Sequence, residues 1–144
     1  MKILRKESVD YLIIHHSTRM IDSSWLIRLR HRWLRRWEEI GYHYILGNGL
    51  ISREGEIYKG RPSNYQGAHC YGYNARSLGI CLIGNLDRYR PGFRQLRSLV
   101  RLLRQLMAEY GISADRVLGH NETEGCQKSC PGVCLAMDRI RKIL

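Results

Sequence analysis

The sequence predicts an α/β fold of the mixed α+β kind, with a central mixed β-sheet flanked by helices. Short apolar runs with strand character alternate with longer stretches of helical periodicity. Two hairpin signals, Asn48-Gly49 and Glu54-Gly55, separate extended pieces, so antiparallel pairing is mixed in. The 144 residues contain no repeat, low-complexity segment or Pro/Gly-rich linker, so residues 1–144 read as one domain with room for a sizeable core.

Tyr11 to His16 forms a first strand, apolar through Ile14. Ser23 or Ser24 can cap a helix carrying Trp25, Leu29, Trp33, Trp37 and Ile40 on one stripe. Arg28, Arg32, Arg35 and Arg36 lie mostly off that stripe, and Gly41 ends the helix. Tyr42 to Leu46, Leu50 to Ser52 and Glu56 to Lys59 are short extended pieces, and Leu78 to Gly84 is a buried strand. After Pro91-Gly92 a long helix turns Leu96, Leu99, Val100, Leu103, Leu106, Met107 and Tyr110 to the core, and Gly111 closes it. Val117 to Gly119 is a short strand leading into His120, and Leu135 to Ile143 a final helix.

Composition narrows the function. The apolar fraction is 44%, and no apolar stretch approaches the roughly 20 residues that cross a bilayer, so membrane insertion is not expected. The basic N-terminus, Met1 to Glu7, is followed by no secretory apolar segment. The expectation is a protein cytoplasmic as synthesised, whose action outside the membrane needs a separate lysis or export system. Lys and Arg outnumber acids 24 to 13, a net charge of +11. Such a field attracts polyanions: nucleic acid, anionic lipid or an acidic wall polymer. No recognised nucleic-acid motif accompanies the charge, so nucleic acid is not the expected partner, and a monomer is expected.

Five cysteines make an odd count, and a cytoplasmic chain keeps them reduced. Cys81 lies in an apolar run as a small core residue. Cys126, Cys130 and Cys134 are spaced by four, which differs from the two-residue gap of zinc knuckles.

His15, His120 and Cys130 stand apart. Each ends or follows a short apolar run or precedes a tight turn, and two imidazoles with one thiolate fill three corners of a zinc tetrahedron. The open fourth corner is the arrangement of a hydrolytic rather than a structural site. His16 adjoins His15, but strand alternation sends neighbours to opposite faces, so only one of them can bind.

Several motifs occur in order: His15 after a strand, Gly41-Tyr42-His43-Tyr44, Gly67-Ala68-His69, Gly72-Tyr73-Asn74, Ser77-Leu78-Gly79-Ile80 and Lys128-Ser129-Cys130-Pro131-Gly132. Together they resemble the zinc-dependent N-acetylmuramoyl-L-alanine amidases, a family that includes phage lysozyme amidases and peptidoglycan recognition proteins. The resemblance spans about residues 9 to 135. It implies a peptidoglycan recognition protein-like fold with zinc in a surface groove. The implied reaction is hydrolysis of the amide between N-acetylmuramic acid and L-alanine in peptidoglycan or muropeptides.

By position, the resemblance implies His15, rather than His16, together with His120 and Cys130 as zinc ligands. It makes Tyr42 and Lys128 the catalytic pair: Tyr42 would orient water or move a proton, and Lys128 would stabilise an oxyanion. His69 and Asn74 are expected to hold the muramyl-peptide, with Tyr65, Arg76 and Arg61 as further contacts. His43 is expected either there or bracing the sheet, and His31 reads as a structural histidine. The segment between His120 and Cys130 is longer than in the short phage members and carries Cys126. A non-catalytic muropeptide-binding module of the same fold is the alternative, and the presence of Cys130 argues against it.

Overall fold

The computed structural model describes Met1–Leu144. Its strands are β1 (Tyr11–His16), β2 (Tyr44–Leu46), β3 (Ile57–Lys59), β4 (Ser77–Leu82) and β5 (Val117–Gly119), and its helices are α1 (Ser24–Trp33), α2 (Phe93–Tyr110) and α3 (Met137–Lys142). They form one sheet in the order β3-β2-β4-β1-β5. β1 runs parallel to both β4 and β5, β2 parallel to β4, and only β3 is antiparallel. This is the mixed sheet flanked by helices that the sequence predicts. No helix is long and apolar enough to cross a membrane, and all five cysteines are free thiols.

Side-chain alternation gives the sheet two unlike faces. Leu12 and Ile14 of β1, with Leu78, Ile80 and Leu82 of β4, join an 18-residue core beneath α2 and α3. α2 contributes Leu99, Leu102, Leu103 and Leu106 to it, each burial worth about 1.5–3 kcal/mol. Gln95, on the same face, donates through Nε2 to the carbonyls of Leu46 and Ile83 at 3.0 and 2.9 Å, tying the helix to the ends of β2 and β4. Gly111 ends α2 in the left-handed conformation, φ 67°. On the opposite face the buried apolar cluster is much smaller, five residues: Ile27, Ile40, Ile45, Cys81 and Ile83. Polar groups gather beside that thin layer.

Three expectations need correction. The first helix does not reach Ile40: it stops at Trp33, and the chain turns through Arg36 at φ 53°. The helical part of its stripe faces solvent, with Trp25, Leu29 and Trp33 exposed, and Ile27 is its buried residue. The reason is electrostatic. Asp22 is fully buried and accepts two bonds from the Arg30 guanidinium at 3.0 and 2.6 Å, which turns the Ile27 and Arg30 side inward. Ser23 caps the helix by accepting from the Leu26 N–H. Gly41 caps nothing; a Cβ there would collide with the Ala68 carbonyl oxygen. Finally, Leu50 to Ser52 is no strand. It lies in the β2–β3 connection, where Gly49 and Gly55 adopt positive φ.

Candidate active site

The site lies at the C-terminal ends of the parallel strands. β1 delivers His15 to the thin face and His16 to the other, where His16 Nδ1 accepts from the Leu86 N–H at 3.0 Å. β5 ends at Gly119, so His120 opens a short 3-10 turn at the same edge. The Thr123 hydroxyl donates to the His120 carbonyl at 2.6 Å and holds that turn. The segment leading to Cys130 folds back on itself, with the Asn121 N–H donating to the Cys130 carbonyl at 2.6 Å. Residues 115 positions apart thereby meet: Cys130 Sγ is 3.6 Å from His15 Nδ1. One donor atom from each of His15, His120 and Cys130 lies within 4.8 Å of the others, so the three could hold a metal ion.

A hydrogen-bond chain fixes the state of His15. Its Nε2 is 3.0 Å from His69 Nδ1, His69 Nε2 is 3.5 Å from Ser77 Oγ, and the Ser77 hydroxyl donates to the Tyr73 carbonyl at 2.7 Å. With the hydroxyl proton spent on Tyr73, each imidazole donates from Nε2 and accepts at Nδ1. His15 Nδ1 is then an unprotonated lone pair aimed at Cys130. His69 can stand there because β4 has no side chain at Gly79. A Cβ at that position would lie 2.5 Å from His69 Cγ and 2.6 Å from Cδ2. Asn74 Oδ1 holds the His69 backbone, accepting from the N–H groups of His69 and Cys70 at 2.9 and 3.0 Å.

Burial lowers the pKa of His15 and of His69 well below the ordinary histidine value, and neighbouring histidines add to both shifts. His120 is lowered by burial and then by the Lys128 charge. Both imidazole donors are thus neutral at pH 7, as metal ligands must be. Burial pushes the Cys130 thiol up to about 11. The Tyr42 ring centroid lies 5.1 Å from that of His15, and burial keeps its phenol protonated far above the usual range. These residues line a cleft of about 430 Å³ with Lys128, His31, Arg35 and Trp37, within the size range of ligand sites. The groove continues past Tyr71, Asn74 and the 123–128 segment as a second cleft of about 940 Å³.

Not every predicted residue is there. His43 is buried with both ring nitrogens engaged, Nδ1 accepting from the Gly79 N–H and Nε2 donating to the Tyr65 carbonyl, each at 2.9 Å. It braces the sheet and has no nitrogen left for a substrate. Tyr65 lies outside both clefts, in a bridge with Ile3. Arg76 stacks over Tyr11 and Tyr73 at the opposite end of β1. Arg61 is spent on the carbonyls of Glu39, Ile40 and Gln66. His31 accepts from the Gly41 N–H, as a structural histidine does. Sequence reasoning missed Arg35 and Trp37 on the groove wall, because a continuous helix places them elsewhere.

His31 and His43 are each pulled down to about 4, first by burial. An unfolded imidazole protonates near pH 6.5, so the unfolded chain binds more protons than the native one between those values. Stability is therefore fully present above about pH 6.5 and is lost as pH falls toward 4. The thermal midpoint should drop across that window, and His43→Gln should flatten the drop. A midpoint independent of pH there would contradict the buried neutral assignment.

A model of the N-acetylmuramoyl-L-alanine amidase family matches residues 5–133. The endolysin of Escherichia phage T7 is 32% identical over 134 residues, covering 88% of this chain and 83% of the endolysin. Among solved structures, the N-acetylmuramoyl-L-alanine amidase LysC from Clostridium intestinale is similar at a TM-score of 0.86 and 30% identity, covering 99% of this chain and 89% of that one. A Tyr-to-Phe mutant of Drosophila PGRP-LB in complex with tracheal cytotoxin is similar at a TM-score of 0.79 and 28% identity, covering 93% of this chain and 80% of that one.

Proposed function

The chain belongs to the N-acetylmuramoyl-L-alanine amidase family, and on that premise we propose how its residues carry out the reaction. The enzyme hydrolyses the amide between N-acetylmuramic acid and L-alanine in peptidoglycan. We assign zinc to His15 Nδ1, His120 and Cys130 Sγ. The observation that carries the assignment is the convergence of three donor atoms within 4.8 Å, with a neutral lone pair on His15 held toward Cys130 by His69. The donor set fits the ion: two neutral imidazoles and a thiol that needs an adjacent cation to ionise. Zinc bound there supplies a Lewis acid for the scissile carbonyl and lowers the pKa of water to roughly 7.

The protein's own groups do the rest. Tyr42, held protonated by burial beside His15, donates from its hydroxyl and orients the attacking water. The Lys128 ammonium lines the same cleft and stands against the oxyanion that develops on the carbonyl oxygen. His69 is a positioning residue behind His15 rather than a substrate contact. The continuing groove along Asn74 and Tyr71 takes the muramyl-peptide. Residues 1–144 act as one catalytic domain and a monomer, reaching the wall through a separate lysis or export system, as suits a relative of endolysins.

Mass spectrometry of products from defined muropeptides, with metal content measured on the same sample, tests this reading. The expected products are the lactyl-bearing sugar and a stem peptide with a free L-alanine N-terminus, one zinc per chain, and arrest by a chelator that added zinc reverses. Full turnover by metal-free protein contradicts the zinc assignment. Muropeptide binding without cleavage by zinc-loaded protein supports the recognition module instead.

A further inference from the structure

The outward face of α1 is the feature that amide hydrolysis leaves unused. Trp25 and Trp33 are 64% and 78% exposed, and Leu29 lies between them at helical spacing. Leu34, 78% exposed, extends the apolar surface past the helix end to the rim of the catalytic cleft. Arg32 and Arg36 are exposed around it, and no carboxylate lies within ion-pair distance of either. Arg32, Trp33, Arg36 and Trp37 share one shallow hollow with Glu38. The nearby acids are engaged: Asp22 with Arg30, Glu39 with Arg28, and Glu38 with the Met1 amino group. The face is thus apolar and predominantly cationic, with Glu38 as its one acid, paired to the Met1 amino group.

We propose that this face docks on the surface of an anionic phospholipid bilayer, with α1 lying in the interfacial plane. Indole rings favour that depth because each has an apolar body and one N–H donor. Leu29 and Leu34 add aliphatic contact, and the guanidinium groups match phosphate oxygens in pairs. The helix needs no folding on arrival, because Ser23, the Asp22–Arg30 pair and buried Ile27 already hold it against the domain. A glycan strand is the poorer occupant. Sugar hydroxyls call for carboxylates and amides interleaved with the rings, and this convex face offers aliphatic groups and cations instead.

The test uses the intact protein with vesicles of phosphatidylethanolamine and phosphatidylglycerol, and with vesicles of phosphatidylcholine alone. Partition into the anionic vesicles is expected to be at least about tenfold stronger, and to weaken with salt. Tryptophan emission should shift to the blue. A Trp25→Ser, Trp33→Ser variant should lose the shift and most of the partition while cleaving soluble muropeptides at the normal rate, which also shows that it folds. Equal partition into both vesicle types, or binding unchanged in the variant, overturns the proposal. So does a variant that loses affinity for purified wall but not for vesicles, which makes the face a wall contact, or loss of a dimer seen by sedimentation, which makes it a self-association face.

Discussion

Cys130→Ser should abolish zinc binding and lower peptidoglycan hydrolysis by on the order of 10³-fold or more, while leaving the fold intact. The substitution changes one atom in a half-buried side chain, and the backbone bond from Asn121 to the Cys130 carbonyl survives it. What disappears is the one donor that can become an anion. A serine hydroxyl does not ionise under conditions where zinc ionises a thiol, so two neutral imidazoles are left to hold a dication. Metal content, kcat/KM and muropeptide affinity on one preparation separate the outcomes. Metal and turnover should fall together, and affinity should persist, because the groove past Asn74 is untouched. Turnover at the wild-type rate would remove Cys130 from the site.

Gly79→Ala should cost about 1–3 kcal/mol of stability and 10- to 100-fold in zinc affinity or activity, although the residue touches neither metal nor substrate. The added methyl would occupy the place of the His69 ring, 2.5 Å from Cγ. The ring cannot retreat easily: its backbone is held by Asn74, and Gly67 closes on its other side. When it moves, His15 Nε2 loses its acceptor, and the Nδ1 lone pair is no longer enforced. A pairing of Gly79→Ala with His69→Ala separates packing from positioning. The double variant should recover the lost stability and none of the activity. Recovery of activity as well would show that His69 has no part in holding His15.

Legibility in the sequence followed the range of the interactions. β1 was readable to the residue because a strand buried on both faces is a near-continuous apolar run, and β5 because its short apolar run ends at Gly119 before His120. α2 was readable because eighteen residues of strict periodicity ended at a glycine. α1 was misread because periodicity reports where apolar groups lie, not which side a buried Asp22–Arg30 pair pulls inward. The donor types at His15, His120 and Cys130 could be named from residue chemistry and resemblance. Their convergence depends on parallel pairing across the chain, which no local window contains. The work of His69 was hidden for the same reason, since it depends on a missing side chain in another strand. His43 and Arg61 look like site residues in sequence, yet both are consumed by backbone carbonyls and N–H groups.

The separation of 115 positions between His15 and Cys130 also sets when the enzyme can exist during its own synthesis. His15 leaves the ribosome early, but β1 needs β4 on one side and β5 on the other, and the thiol follows later still. A nascent chain therefore holds scattered histidines and no hydrolase until the segment through Cys130 has emerged and docked. The converse holds after folding: a protease that frees β5 from β1 separates His120 from His15 at one cut. Competence to cleave the wall is thus a property of the assembled sheet, granted late and withdrawn at once.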